Sequence, residues 1–194
     1  SFNSGKLHNA IPRDGRVVMA VPNDVKENVR ADWNVFAHEV ADEFYVTDTA
    51  MEFAMESANA EKVMPADVSR RIIMALQGIT NGVFAICQDP ALGGMVETSS
   101  NIAVVKTTDN TVDLLASQRS NVMSNLKNMA NTVKAAFELG GADVLQNDGY
   151  PAWKMNPNSK LVKVTVDSYK KLFGKTPIVR GIHAGLECGL FSEK

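Results

Sequence analysis

One order of secondary-structure elements occurs twice in the sequence, and it restricts the fold more than any other feature. A predicted strand pair, an amphipathic helix and a short strand follow one another from Leu7 to Glu56. The same order returns from Val96 to Gln146. Two half-units of this kind are typical of one shared sheet with the helices on one face. The pattern therefore predicts an α+β fold, with an antiparallel sheet of two ferredoxin-like half-units and helices on one face.

Four helices are predicted from apolar residues that recur three and four positions apart. The first begins after a capping residue at Asn23 or Asp24, and its apolar stripe contains Val25, Val29, Trp33, Phe36, Val40 and Phe44. The other helices are expected from Met64 to a glycine cap at Gly82, from Ser120 to Gly140, and from Leu161 to Phe173. Strands are expected from Leu7 to Val21 (with a turn at Asp14-Gly15), Met51 to Glu56, Val96 to Lys106, Thr111 to Gln118, Asp143 to Gln146 and Thr176 to Ile182.

The composition is that of an ordinary globular protein. The 194 residues are 45% hydrophobic and 22% charged, with a formal net charge of -2. These values exclude a disordered tail and a strongly basic nucleic-acid binder. No apolar run approaches the ~18–20 residues that a membrane span needs. We therefore expect no nucleic-acid partner and no membrane partner.

The two cysteines and the first residues predict the compartment. Cys87 and Cys188 are far apart, so a disulfide framework is not expected and a reduced, cytoplasmic protein is favoured. The first residues have no apolar core of a signal peptide. Because no initiator Met is present, we expect a processed product or a cut piece.

The residues alone do not indicate a complete catalytic site. The three histidines, His8, His38 and His183, have no HxxxH or HxH spacing, which a zinc site often uses. The serines lack the Gly-x-Ser-x-Gly context of a hydrolase nucleophile. The sequence therefore predicts no metal ligand set and no catalytic residue in this chain.

Five segments in register carry a specific resemblance. They are Asn9-Ala-Ile-Pro-Arg-Asp, Val96-Glu-Thr-Ser-Ser-Asn-Ile-Ala-Val-Val, Ser117-Gln-Arg-Ser, Tyr150-Pro-Ala-Trp-Lys-Met-Asn-Pro and His183-Ala-Gly-Leu-Glu-Cys-Gly. Together they resemble the aminoacyl-histidine dipeptidases, which are M20 di-zinc metallopeptidases. The resemblance covers nearly the whole chain.

The resemblance implies a cytoplasmic two-domain hydrolase that cleaves Xaa-His dipeptides such as β-Ala-His (carnosine). A catalytic domain would bind two zinc ions, and a lid domain would position the substrate and mediate closure or dimerisation. Residues 1–155 would then form the lid/dimerisation domain without its N-terminal part, and residues 156–194 the start of the returning catalytic segment. The family's zinc ligands and catalytic base fall outside this chain, so we expect the fragment alone to bind no zinc and to be inactive. The expected partners are a dipeptide substrate and a second subunit in a homodimer.

The resemblance also nominates substrate-binding residues. Asn9 and Arg119 would bind the C-terminal carboxylate of the dipeptide, and a guanidinium is well suited to this task. Arg119 also comes just before a predicted helix N-terminus, which favours an anion. The alternatives are that Arg119 is a surface residue paired with Asp113 and that Asn9 caps a turn.

The last segment supplies the remaining candidates, His183, Gly185 and Glu187. Glycines permit close backbone approach to a ligand, and His183 and Glu187 could face an active-site cleft in the intact enzyme. Two other function classes stay open. One is a non-catalytic dimerisation or interaction module, and the other is a ferredoxin-like regulatory domain that binds a small ligand such as an amino acid.

Overall fold

The computed structural model describes residues 1–153, 156, 158–184 and 190–191. It has an antiparallel sheet and four helices, so the predicted α+β class is confirmed. The strands are β1 (Phe2–Ser4), β2 (Gly15–Val17), β3 (Gly82–Ile86), β4 (Val96–Thr107) and β5 (Val112–Ser120). The helices are α1 (Lys26–Glu43), α2 (Ala66–Gly78), α3 (Met123–Leu139) and α4 (Lys160–Phe173), and a short 3₁₀ turn spans Pro90–Leu92.

Strand β4 is the centre of the sheet. Its partner β5 runs beside it from the pair Thr98–Ser120 to the pair Thr107–Val112. On its other edge, β3 pairs with the first half of β4, and β1 meets the second half at Ser4–Val105. Strand β2 pairs with β1 at the outside of the sheet. All of these pairings are antiparallel, as the sequence predicts.

A β-bulge interrupts the pairing of β4 with β5. Ile102 lies opposite Ala116 and Val104 lies opposite Leu115, so Ala103 is an extra residue without an opposite partner in β5. A bulge of this kind shifts the alternation of side chains between the two faces of a strand. As a result Ile102 and Val105, three residues apart, lie on the same face.

The hydrophobic core lies between this face and helices α3 and α2. Met129, Val133 and Phe137 of α3 are buried, and Ala75 and Ile79 from the α2 region join them. The sheet contributes mainly Ile102, Leu114 and Ala116. One face of the β4–β5 pair is therefore covered by helices. We call the opposite face of this pair the open face.

Helices α1 and α4 are packed differently from α3. Neither has a buried side chain. The chain exposes 15096 Å² of surface, compared with about 9,000 Å² for a compact monomer of this mass. Among the helices of the described residues, none combines the length and apolar content that crossing a bilayer requires.

The predicted strand pair near the N-terminus was wrong in its details. β1 lies before Leu7, and Gly15 lies inside β2 opposite Ser4 instead of forming the turn. The backbone of Gly5, at a positive φ of 72°, passes so close to the Ala103 carbonyl that a Cβ could not fit. This close approach brings β1 against β4, and alternation of apolar residues does not reveal it.

Three other predicted strands are absent from the described structure. Residues 51–56, 143–146 and 176–182 have no regular structure, because no neighbouring strand is placed to complete a ladder with them. Instead, Phe53 packs edge-on against Trp33 of α1, with ring centroids 6.3 Å apart. The Gln146 side-chain amide donates to the Ala130 carbonyl of α3.

Strand β3 was missed by the sequence interpretation. Gly82 does not cap α2, which ends at Gly78 with Ile79 as its cap. Gly82 instead opens β3 with a positive φ of 103°. A glycine after a helix therefore marks the turn into a strand here. The predicted bounds of β4, β5, α1, α3 and α4 agree with the structure to within a few residues.

Candidate functional site

The open face of the β4–β5 pair carries polar side chains close to the end of β5. Side chains alternate between the two faces of a strand, and those directly opposite on paired strands share a face. Ala116 and Leu114 point to the helices, so Ser117 and Arg119 lie on the open face. Ser99 is directly opposite Arg119, and Asn101 is directly opposite Ser117.

His183 lies against this face from a distant part of the chain. Its Nε2 atom and the Oγ of Ser99 are 2.7 Å apart in a hydrogen bond that joins residues 84 positions apart in sequence. His183, Ser99 and Arg119 are all half-buried. We call these three residues the open-face cluster. The segment after α4 thus reaches the sheet on the side that the helices leave uncovered.

The electrostatics of the cluster favour a neutral imidazole. The pKa of His183 lies below its ordinary value of 6.5, chiefly because burial penalises the charged ring. The positive charge of Arg119 lowers this pKa further, and a hydrogen bond with the Val96 backbone opposes the shift. At pH 7 the cluster therefore combines a positive guanidinium with a neutral hydrogen-bonding ring. Such a pair is suited to an anionic oxygen.

Arg119 is not engaged by the carboxylate considered as its alternative partner. Asp113 is six residues away on the same strand, opposite Lys106. In the described part of the chain, no ion pair joins Arg119 to a carboxylate. Arg119 comes one residue before the end of β5, and α3 begins four residues after it at Met123. Arg119 therefore precedes a helix N-terminus in sequence, as predicted, but its side chain lies on the face of the sheet opposite α3.

Asn9 lies in an exposed turn and not in a strand. The neighbouring Ala10 carbonyl accepts a hydrogen bond of 2.9 Å from the Nδ2 of Asn101. This bond places the turn over the open face, beside the open-face cluster. A surface cavity of about 340 Å³ is lined by residues 5–7 and 10–14, and it includes neither Arg119 nor His183. Of the predicted site residues, the structure brings Arg119 and His183 close enough for the charge of one to act on the other, and Asn9 lies in the turn that Asn101 binds through Ala10.

Two of the predicted site residues, Gly185 and Glu187, lie outside the described residues, as does Cys188. Their proposed roles stay predictions.

The described residues do not form a metal site. Nowhere in the ranges that the structure describes do three His, Cys, Asp or Glu side chains come together as possible metal ligands. His38 lies within 3.6 Å of Asp42 on the exposed side of α1, which is the helix-flank position that its spacing indicates. This part of the chain therefore does not fit the zinc ions of a di-zinc hydrolase, and no zinc chemistry is assigned to it.

Sequence reasoning missed Ser99 and Val96 as neighbours of His183. Both are within a segment that the sequence analysis singled out, but nothing assigned them a role. The register with β5 is needed to bring Ser99 opposite Arg119, and the sequence alone does not reveal that register. Before the bulge, the alternation from the apolar Ile102 would place Ser99 on the polar face.

Comparison with known proteins identifies relatives of this chain. No protein-family model matches it. It is 33% identical over 193 residues to the cytosol non-specific dipeptidase of Escherichia coli (strain K12). It also superposes on the crystal structure of aminoacylhistidine dipeptidase from Vibrio alginolyticus, with a TM-score of 0.88 and 33% identity. The chain is a homologue of these dipeptidases.

The dipeptidase relatives are much longer than this chain. The alignments cover 99% of the chain but 39% of each of the two relatives. The predicted resemblance to the aminoacyl-histidine dipeptidases is confirmed, and the shared fold agrees with the predicted α+β class. Both relatives are dipeptidases by name.

Proposed function

We propose that this chain is the substrate-positioning part of a dipeptidase that hydrolyses Xaa-His dipeptides such as β-Ala-His. The observation that supports the proposal is the position of Arg119, a guanidinium without a carboxylate partner among the described residues, beside the neutral ring of His183. The C-terminal carboxylate of a dipeptide matches this pair in charge and hydrogen-bonding capacity.

Each residue has a distinct part in the proposed site. Arg119 binds the carboxylate through its planar fork of N–H donors. His183 stays neutral beside it and offers a ring nitrogen to the substrate or to Ser99. Asn9, in the turn held by Asn101, presents a side-chain amide at the edge of the same face. Gly185 and Glu187 complete the site in the proposal, on the strength of the resemblance alone.

The division into two parts is also a proposal. Residues 1–155 form the lid/dimerisation domain, and residues 156–194 begin a catalytic segment. Helix α4, in the second part, buries no side chain, which is expected if its packing partners belong to the catalytic domain. The large exposed surface of the chain supports a role inside a larger assembly. Closure of such a lid would exclude water from the substrate.

In this proposal the parent enzyme is cytoplasmic, dimeric and zinc-dependent. Both zinc ions are held by residues outside this chain, as the resemblance implies. The chain by itself binds no zinc and is inactive. Its contribution is to position the dipeptide and to take part in closure or dimerisation.

The proposal is tested by removing Arg119 from the full-length polypeptide that carries this chain. Arg119→Ala is expected to raise KM for β-Ala-His by about 10–100-fold, since charge-assisted hydrogen bonds contribute ~1.5–3 kcal/mol. The zinc content should not change. Arg70→Ala removes an exposed arginine from α2 and is the matched control.

A second substrate, β-Ala-His with its C-terminal carboxylate converted to an amide, makes this test more specific. It lacks the carboxylate, so Arg119→Ala should change its KM much less than that of the free acid. If KM for the free acid is unaltered by Arg119→Ala, the carboxylate role is wrong. Hydrolysis of β-Ala-His by the 194-residue chain alone would contradict the assignment of the catalytic residues to other sequence.

A further inference from the structure

Strand β4 lies against the His183 ring at two points. Ser99 contributes its hydroxyl at 2.7 Å from Nε2, and the backbone of Val96 is near enough to the ring to affect its pKa. The ring is half-buried in this position, although the segment that carries it has no regular secondary structure. Ser99 of β4 therefore fixes the His183 ring against the sheet.

Ser99 is well placed to set the distance between His183 and Arg119. It is directly opposite Arg119 in the antiparallel register, and side chains of directly opposite residues start about 4.5–5.5 Å apart. The sheet fixes both backbones, so a ring bound to the Ser99 hydroxyl is held beside the guanidinium. Ser99 needs no contact with a ligand to have this effect.

We propose that Ser99 is a positioning residue whose hydroxyl holds the imidazole of His183 beside Arg119, so that one substrate carboxylate meets both side chains. The substrate part of this inference rests on the proposed function. The positioning part does not, because it concerns contacts within the chain.

The charges around the ring make the inference measurable. Within the described residues, Arg119 on β5 is the charged side chain that acts on His183, while β4 contributes a hydroxyl and a backbone group. Burial and Arg119 both lower the pKa of His183. A ring released from Ser99 would become more hydrated and would move away from Arg119, so its pKa would rise toward the ordinary value.

The first test is an NMR titration of the histidine rings in the full-length polypeptide, with His183→Gln to assign the resonance. Ser99→Ala is expected to raise the pKa of His183, and Ser99→Thr, which keeps a hydroxyl, is expected to preserve the lowered value. Ser117→Ala, which removes a hydroxyl from the same face of β5, should leave the titration unchanged. An unchanged His183 titration in Ser99→Ala would overturn the positioning role.

The second test is kinetic. Loss of one neutral hydrogen bond is expected to raise KM for β-Ala-His by about fivefold to tenfold in Ser99→Ala, and Ser99→Thr should restore it. If Ser99→Ala shifts the titration without raising KM, the claim that one carboxylate meets both side chains is wrong. Failure of the proposed function appears separately, as a KM that Arg119→Ala does not alter.

Discussion

Helices α3 and α4 are both amphipathic in sequence, but they differ in what covers their apolar sides. Met129, Val133 and Phe137 of α3 are buried against the sheet and α2. In α4 no side chain is buried, and Leu172 and Phe173 are among its exposed apolar residues. A stripe of apolar residues thus predicts that a segment is helical, because spacing is a local property. It does not identify the surface that the stripe contacts.

Helix α1 resembles α4 in that none of its side chains is buried. It is 18 residues long and buries none of them, although Trp33 contacts the rings of Phe36 and Phe53. Exposed apolar stripes of this size favour association with another surface. The molecule therefore contains a packed half around α3 and two helices whose stability rests mainly on local interactions.

The largest expected effect is in the packed half. Met129 is 1% exposed, whereas Met74 of α2 is 62% exposed. Met129→Ala should lower the free energy of unfolding by about 2–5 kcal/mol, because it leaves a cavity in the core. Met74→Ala, the matched control, should change it by less than ~0.5 kcal/mol. Urea denaturation of both variants measures the difference, and equal losses would contradict the assignment of Met129 to the core.

A smaller and local effect is expected in α4. The Ser159 hydroxyl caps this helix by accepting from the Leu161 N–H at 3.2 Å. Ser159→Ala should speed amide hydrogen exchange in the first turns of α4 by about fivefold, because a lost cap costs ~1 kcal/mol. The midpoint of global unfolding should not move, since α4 buries no side chain. Ser124→Ala in α3, where the hydroxyl caps nothing, is the control.

If Ser159→Ala lowers the global midpoint together with the α4 exchange protection, then α4 is coupled to the core. The contrast between α3 and α4 would in that case be wrong.

The smallest effect concerns pH and the contact between His183 and the sheet. Because the pKa of His183 is lowered in the folded chain, the unfolded chain takes up a proton first as pH falls below 6.5. The contact between His183 and the sheet therefore loses stability from about the ordinary pKa down to the lowered one, and no more below it. Amides next to His183 should lose exchange protection in this window, while those around Met129 should not. The His183→Gln variant should show no such step.

Much of the packed half could be predicted from the sequence. The long strands β4 and β5, the turn between them and the stripe of α3 are set by alternation and helical spacing over many residues. The short elements could not be predicted, since β1 and β2 have three residues each and depend on a close approach of Gly5 to Ala103. Residues 51–56 alternate as a strand would, but no partner strand lies beside them.

The candidate site was predictable in part. Arg119 and His183 were nominated from the resemblance, and the structure places them in one cluster. Ser99 was not nominated, because its place opposite Arg119 depends on the register between β4 and β5. Whether Asn9, Arg119, His183, Gly185 and Glu187 bind substrate stays a prediction until the variants are measured.

The bulge at Ala103 has a consequence for how this chain can change over time. It lets the first half of β4 place Ser99 on the open face and the second half place the buried Val105 on the opposite face, beside Leu114. Deleting Ala103 would remove the bulge: Ile102, Val104 and Val105 would then alternate regularly opposite Ala116, Leu115 and Leu114, so both halves of β4 would keep their faces. The bulge therefore lets β4 hold one residue more than its pairing with β5 requires without turning either half over.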